Sequence, residues 1–268
     1  MIKAVFIDID DTLTNSQREV TLRTKNAIKK CIQKGIKIIL TSGRSRKEAI
    51  EYQEQIGASP YIISSNGASC FDKVNKKEIY NCILKKEDVR QLLGYSEKNE
   101  CKIKLNYEDK LVLNKAFYPD EKDKEKSIPE LEDIIENKPI VQCVISNPDI
   151  DKIIEFKKFL SKKLKMVKIV NESKRLKNFD LKPSKNYYCD ITSKDVSKGR
   201  AVLETCKYLN LKKEEIIAIG DGENDISMFE LTPNSIAMEN AVQNVKKQAK
   251  YVTLSNDEDG VANVLEKL

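Results

Sequence analysis

The chain has 268 residues, of which 40% are hydrophobic and 34% are charged, a balance that excludes wholesale disorder and an integral membrane protein. Its 48 basic and 42 acidic residues leave a net charge of +6 that is mixed along most segments, so nucleic-acid binding has little support. Histidine is absent, which excludes Ser-His-Asp and Cys-His catalysis and leaves carboxylates, lysines and hydroxyls to carry any chemistry.

Short apolar runs alternate with stretches of helical periodicity at both ends of the chain. The runs that predict buried strands are 4–7, 36–40, 61–63, 216–219, 235–238 and 251–254. The stretches that predict helices are 24–34, 46–56 and 198–209. Such alternation is typical of α/β proteins, so we expect a parallel sheet covered by helices, with ligands at the carboxyl ends of its strands.

The middle of the chain has a different pattern and predicts an inserted α+β module. The expected order is a helix, a hairpin at 102–105 and 111–113, a polar stretch at 120–126, a second helix, a strand at 140–145, a helix at 149–164, and strands at 166–170 and 187–191. We assign residues 1–82 plus 187–268 to the α/β core and residues 83–186 to the insert.

The seven cysteines are scattered and form no C-x-x-C pair, a pattern typical of reduced, buried thiols. Acidic residues near the beginning of the chain interrupt any apolar run that a signal peptide would need. No segment approaches the roughly 18 consecutive apolar residues of a membrane span. We therefore expect a cytoplasmic protein without a membrane partner.

The sharpest motif is the segment 5–12, VFIDIDDT, an apolar strand that runs into three carboxylates. If Asp8 and Asp10 lie at the strand end, their two-residue spacing turns both side chains to the same side. Neighbouring carboxylates repel each other unless a cation or a shared proton relieves them, and Mg²⁺ prefers hard oxygen ligands. Taken alone, an acidic strand end is more often a turn or a helix cap.

A second predicted strand, 216–219, ends in the acidic segment 220–225, GDGEND. Two strands therefore direct carboxylates to one edge of the predicted sheet. An EF-hand calcium loop is disfavoured, because Leu13 or Ile226 would stand where that loop requires glycine.

A third strand ends in the segment 41–44, TSGR, which supplies hydroxyls, a glycine turn and a cation before a helix. Such a turn suits a phosphoryl oxygen. A helix N-cap at Ser42 or Ser45 is the simpler alternative.

In this order the motifs resemble those of haloacid dehalogenase (HAD) superfamily phosphohydrolases, closest to the Cof-like sugar-phosphatase branch with a large α+β cap. The resemblance covers about 1–82 and 187–268, and 65–68 (SNGA) and 236–241 (IAMENA) add subfamily signatures. The matching positions are Asp8 and Asp10 in the first motif, Ser42 in the second, Lys198 in the third, and Asp221, Asn224 and Asp225 in the fourth.

The resemblance implies a Rossmann-like doubly wound core, a cap at 83–186, and a mechanism. Asp8 would be the nucleophile that forms an aspartyl-phosphate, and Asp10 the general acid and base. Mg²⁺ would be held by the Asp8 carboxylate, the Asp10 main-chain carbonyl and Asp221, with Asp225 as a ligand or an outer-shell partner.

The same resemblance implies which residues meet the substrate. Ser42, Lys198 and Asn224 would bind the phosphate oxygens. Arg44, Asn66 and Gly67 would lie nearer the leaving group.

Two positions depart from the family pattern. The Cof-like branch usually has glycine after its D-x-D, whereas this chain has Asp11, which adds negative charge beside the proposed metal. Ser42 replaces the commoner threonine and keeps the hydroxyl.

We therefore expect a Mg²⁺-dependent phosphatase that acts on small phosphorylated metabolites, with sugar phosphates as the default class. One alternative is a phosphomutase or phosphotransferase of the same fold. Another is a phosphoacceptor signalling module, against which the insert and Asp10 argue. The sequence identifies neither the substrate, nor the cap residues that contact it, nor the oligomeric state.

Overall fold

The computed structural model describes residues 1–108, 110–114, 125–126, 128–163, 167–171 and 187–268. Contacts divide the chain into a core unit, Met1–Asn81 with Val196–Leu268, and an inserted unit, Cys82–Asp195. The polar stretch predicted at 120–126 lies outside the described residues, apart from Glu125–Lys126. No helix in the described part of the chain is long and apolar enough to cross a membrane.

The core unit, which is described throughout, is built on one eight-stranded sheet. Its strands in chain order are β1 Ala4–Ile7, β2 Lys37–Thr41, β3 Tyr61–Ser64, β4 Ser69–Asp72, β5 Lys77–Asn81, β12 Ile216–Gly220, β13 Ser235–Ala237 and β14 Tyr251–Val252. Their spatial order is β14-β13-β12-β1-β2-β3-β4-β5. The pairs from β14 to β3 are parallel, which confirms the predicted α/β core.

Helices cover both faces of this sheet. They are α1 Leu22–Gln33, α2 Arg46–Ile56, α6 Lys198–Leu209, α7 Ile226–Phe229, α8 Gln243–Gln248 and α9 Gly260–Leu265. Because side chains alternate along a strand, Val5 of β1 packs in one apolar cluster with α1 and α9, and Phe6 packs in another with α6 and α7. The core is therefore doubly wound, as expected.

The sequence analysis did not predict the antiparallel strands β4 and β5 at one edge of the sheet. Strand β5, KEIYN, is exposed or half-buried along its whole length, so it carries no continuous apolar run. Its position at the sheet edge explains why the pattern is weak.

The inserted unit contains a second sheet in the order β10-β11-β9-β6-β7-β8, as far as the described residues show it. Its strands are β6 Lys102–Tyr107, β7 Lys110–Asn114, β8 Glu125–Lys126, β9 Gln142–Asn147, β10 Val167–Asn171 and β11 Tyr187–Ser193, and its helices are α3 Lys86–Lys98, α4 Ile128–Asn137 and α5 Ile150–Lys163. All of its strand pairs are antiparallel except β7 with β8. One apolar face, with Ile103 and Ile145, packs on helices that contribute Leu92 and Phe156. This is the expected α+β insert.

The structure moves the first boundary of the insert by one residue, since Cys82 belongs to the inserted unit, and the second boundary further. Residues 187–195 were assigned to the core, but β11 pairs with β9 and β10 and so belongs to the inserted unit. The alternating pattern of β11 is that of a strand with one covered face in an antiparallel sheet, and it differs from the apolar runs of the parallel core.

Candidate active site

Three strands of the core sheet bring their polar residues to one edge. Asp8 follows β1, Ser42 follows β2 and Asp221 follows β12, and β1 lies between the other two strands. The Asp8 amide donates to the Ile219 carbonyl at 3.0 Å, and the Ser42 amide donates to Ile63 at 2.9 Å. These bonds continue the ladder past the strand ends, so the positions of Asp8 and Ser42 are fixed by the sheet itself.

Lys198 joins two of the predicted carboxylates. It opens helix α6, whose N-cap Ser197 accepts a hydrogen bond from the Arg200 amide. Its Nζ lies 2.5 Å from Asp8 Oδ1 and 2.6 Å from Asp225 Oδ1, and its side chain is 1% exposed. Burial alone would lower the pKa of Lys198, but the adjacent Asp225 and Asp8 charges outweigh it and raise the pKa, so the ammonium form persists.

Asp8, Asp221 and Asp225 form a carboxylate cluster. They offer oxygen atoms that lie within 4.8 Å of one another. Burial raises the pKa of Asp8 well above its usual range, although Lys198 opposes this. Burial and the Asp225 charge raise the pKa of Asp221 to about 7. Both pKa values are raised because ionised carboxylates that are buried close together have an unfavourable free energy. A bound divalent cation lowers that free energy.

Both oxygens of Asp225 are already engaged. Oδ1 accepts from Lys198, and Oδ2 accepts from the amides of Asp221 and Gly222 at 3.0 and 2.9 Å. Asp225 is fully buried, and a Cβ on Gly220 would lie 2.4 Å from its carboxylate. Gly220 is therefore the residue that lets this carboxylate pack against the end of β12.

Arg44 holds the Asp10 carboxylate. Its Nε donates to Asp10 Oδ2 at 3.0 Å and its Nη2 donates to Oδ1 at 2.6 Å, a two-pronged pair, while Arg18 lies 3.6 Å from the same carboxylate. The Arg44 guanidinium also stacks over the Tyr52 ring at 4.9 Å. The sequence analysis placed Arg44 near the leaving group; in the structure its charged end is bonded to the proposed proton donor.

The remaining predicted residues lie beside this group. The Asn66 amide donates to the Ser42 carbonyl at 2.9 Å, and the Asn224 side-chain amide donates to Asn66 Oδ1 at 2.9 Å. Gly67 packs against the backbone at Ser197. All the site residues that the sequence predicted lie in the core unit, and hydrogen bonds or close packing connect them to one another.

The sequence analysis gave no role to three residues that take part in these contacts, although two of them lie in the motifs that it quoted. The Thr12 hydroxyl donates to Asp221 Oδ1 at 2.7 Å, and Asn240 donates to the Asp11 carbonyl at 2.8 Å. Arg18 is the third. Thr12 was visible as a hydroxyl beside the acidic segment, whereas nothing in the local pattern distinguishes Arg18 from other surface arginines.

The backbone explains why glycine is usual at the position of Asp11. Asp11 has φ +58°, in the left-handed region that glycine adopts without strain. Aspartate is among the few other residues that tolerate this region, and the bond from Asn240 to the Asp11 carbonyl holds it there.

Comparison with known proteins shows which family the chain belongs to. The family model described as haloacid dehalogenase-like hydrolase matches residues 5–265. The chain is 28% identical to Phosphatase YwpJ of Bacillus subtilis over the full length of both proteins, and 26% identical to the 5-amino-6-(5-phospho-D-ribitylamino)uracil phosphatase YwtE of the same organism, covering 100% of this chain and 98% of that one. A crystal structure of a haloacid dehalogenase-like hydrolase from Bacteroides thetaiotaomicron superposes with a TM-score of 0.81 at 26% identity, covering 100% of this chain and 99% of the other. The chain therefore belongs to the haloacid dehalogenase-like hydrolase family, and it is an enzyme of the phosphatase type.

Proposed function

We propose that this phosphatase depends on Mg²⁺ and hydrolyses small phosphorylated metabolites through an aspartyl-phosphate on Asp8. The observation that carries the proposal is the surroundings of Asp8, which is buried at the end of the central strand, bonded to Lys198 and close to two further carboxylates. A nucleophilic carboxylate, a fixed cation and a place for a divalent ion thus lie within one cluster.

The donor set fits Mg²⁺. Asp8 and Asp221 supply carboxylate oxygens, and the family resemblance adds the Asp10 main-chain carbonyl. Asp225 supports the site from outside, because both of its oxygens already accept hydrogen bonds. When bound, Mg²⁺ supplies positive charge that lowers the repulsion between carboxylate and phosphate and stabilises the transferring group.

In the reaction that we propose, Asp8 and Asp10 carry out the two chemical steps. An Asp8 oxygen attacks phosphorus, and the bond from phosphorus to the leaving oxygen breaks while Asp10 gives that oxygen a proton. Asp10 next takes a proton from the water that attacks the phosphorus of the aspartyl-phosphate, which releases phosphate and restores Asp8. Ser42, Lys198 and Asn224 hold the phosphoryl oxygens throughout.

Sugar phosphates and polyol phosphates are the substrate classes that we propose first. The Cof-like resemblance favours the former. The latter is suggested by the name of the relative YwtE, which describes a substrate with a phosphate on a D-ribityl group, a polyol.

The test is phosphate release from an aryl phosphate and from a panel of sugar and polyol phosphates, in Mg²⁺ or in EDTA. We expect turnover in Mg²⁺ that EDTA abolishes. Turnover that is unchanged in EDTA would contradict the metal assignment. Phosphate that passes to an added alcohol or sugar instead of to water would favour the phosphotransferase, and a long-lived phosphoprotein without phosphate release would favour the signalling module.

A further inference from the structure

Three consecutive residues after β3 have left-handed backbone conformations. The φ angles are +52° for Ser65, +58° for Asn66 and +96° for Gly67. Such conformations cost a non-glycine residue roughly 1–2 kcal/mol, so they persist only where the surroundings hold them. Asn66 is 4% exposed, and its neighbours in this turn are buried as well.

The loop that carries Ser42 holds one side of the turn. The Ser65 amide donates to the Arg44 carbonyl at 2.8 Å, and the Asn66 amide donates to the Ser42 carbonyl at 2.9 Å. A Cβ on Gly43 would lie 3.0 Å from Asn66 Oδ1. The Asn66 side chain therefore lies directly against this loop.

The start of helix α6 holds the other side. A Cβ on Gly67 would lie 2.3 Å from the Ser197 carbonyl oxygen and 2.9 Å from the Lys198 nitrogen. Only glycine allows this approach, so the turn is packed against the residue that bonds to Asp8.

The third contact is a side-chain bond to the acidic loop after β12. Asn224 Nδ2 donates to Asn66 Oδ1 at 2.9 Å, although the two residues are 158 positions apart. An amide that donates one hydrogen in this way has its plane fixed, and with it the directions of its carbonyl oxygen and its second N–H.

We propose that Asn66 is a positioning residue that orients the Asn224 amide for the phosphoryl group and makes no contact with the leaving group. This inference rests on the phosphatase function proposed above. The turn contacts all three loops that carry the phosphate-binding residues, and the Asn66 side chain bonds directly to one of those residues, Asn224.

The test is the variant Asn66→Gly, which removes the side chain and keeps an unstrained left-handed backbone. Asn210→Gly is its matched control, because Asn210 is an exposed asparagine with φ +52° at the end of α6. The probe is inorganic phosphate, titrated by calorimetry in the presence of Mg²⁺. We expect its affinity to fall about five- to tenfold in Asn66→Gly, the effect of one misdirected hydrogen bond, and to stay unchanged in the control.

Kinetics separate positioning from direct contact. If Asn66 affects only how Asn224 binds the phosphoryl group, the loss of kcat/KM should not depend on the leaving group. It should then be the same factor for an aryl phosphate and for every sugar phosphate. The double variant Asn66→Gly/Asn224→Ala should be no worse than Asn224→Ala alone. A loss that depends on the leaving group, or losses that multiply in the double variant, would overturn the inference.

The two proposals fail in different ways. A wild-type protein that binds inorganic phosphate but hydrolyses no ester would contradict the proposed function, and the affinity comparison would still decide the role of Asn66. Equal phosphate affinity in wild type and Asn66→Gly would contradict the positioning role alone.

Discussion

Lys198 and Asp8 are 190 positions apart in the chain, yet Lys198 Nζ lies 2.5 Å from Asp8 Oδ1 in a buried contact. The same ammonium bonds to Asp225 at 2.6 Å. One cation from the start of α6 thus links the end of β1 to the acidic loop after β12. This contact makes Lys198 a structural partner of the proposed nucleophile, in addition to the phosphate-binding role that we propose for it.

Lys198→Met should therefore affect activity and stability together. Removing one partner of a buried ion pair costs about 3–5 kcal/mol, because the remaining charges stay buried without compensation. Loss of the cation at the phosphoryl group should lower kcat by about 10²–10³. Steady-state kinetics and urea unfolding measure the two effects. Lys207→Met, an exposed position on the same helix, is the control, and wild-type turnover by Lys198→Met would contradict the assignment.

Arg44→Lys tests the link to Asp10. A lysine cannot make the two parallel bonds of a guanidinium, so the Asp10 carboxylate loses its fixed orientation. We expect kcat/KM, which covers the steps up to phosphorylation of Asp8, to fall about tenfold on sugar phosphates, whose alkoxide needs a proton. It should change little on p-nitrophenyl phosphate, whose phenolate leaves without one. Arg23→Lys breaks a similar pair with Glu266 at the surface and should leave both substrates unaffected. Equal losses on both substrates would show that Arg44 acts elsewhere.

Asp11 should strengthen metal binding through its charge, because its carboxylate is close enough to Asp221 to raise the pKa of that group. Asp11→Asn removes the charge and keeps a residue that tolerates φ +58°, whereas Asp11→Gly also relieves the backbone. We expect both variants to need about two- to fivefold more Mg²⁺ for half-maximal activity, the effect of one half-buried charge. A change in the glycine variant alone would assign the effect to the backbone.

Gly199 sets the approach of α6 to α7. A Cβ at this position would lie 2.0 Å from the Ser227 carbonyl oxygen, so Gly199→Ala should destabilise the protein by about 3 kcal/mol through overpacking. Gly94 in α3 has open space around it, and Gly94→Ala should stabilise by about 0.5–1 kcal/mol. Thermal unfolding of the two variants checks the contrast, and equal shifts would contradict it.

The sequence predicted the core where a local pattern is decisive. Buried parallel strands are continuous apolar runs, so β1 was predicted at its observed bounds. Helices α2 and α6 were also predicted at their observed bounds, because their apolar residues recur with helical periodicity. Carboxylates directly after such runs fall at one sheet edge by topology alone, which is why Asp8 and Asp221 were found. Lys198 needed the family motif, because one lysine among many carries no signal of its own.

What the sequence could not supply depends on contacts across the fold. The partner of Arg44 is set by where two loops meet, and no local pattern encodes that pairing. The boundary at 187 was misplaced because strand β11 lies just before the second core segment in the chain. Its pairing with β9 and β10 in the inserted sheet is seen only in the structure. Edge strand β5 was missed because its half-exposed side chains give no apolar period.

The most direct test of the central claim is the rate of phosphate release by Asp8→Asn in Mg²⁺, beside wild type purified in parallel. The asparagine keeps the shape of the side chain but loses the nucleophilic carboxylate. With folding verified by thermal unfolding, we predict at least about a 10³-fold loss of kcat on aryl and sugar phosphates alike. Turnover close to that of wild type would contradict Asp8 as the nucleophile and, with it, the proposed mechanism.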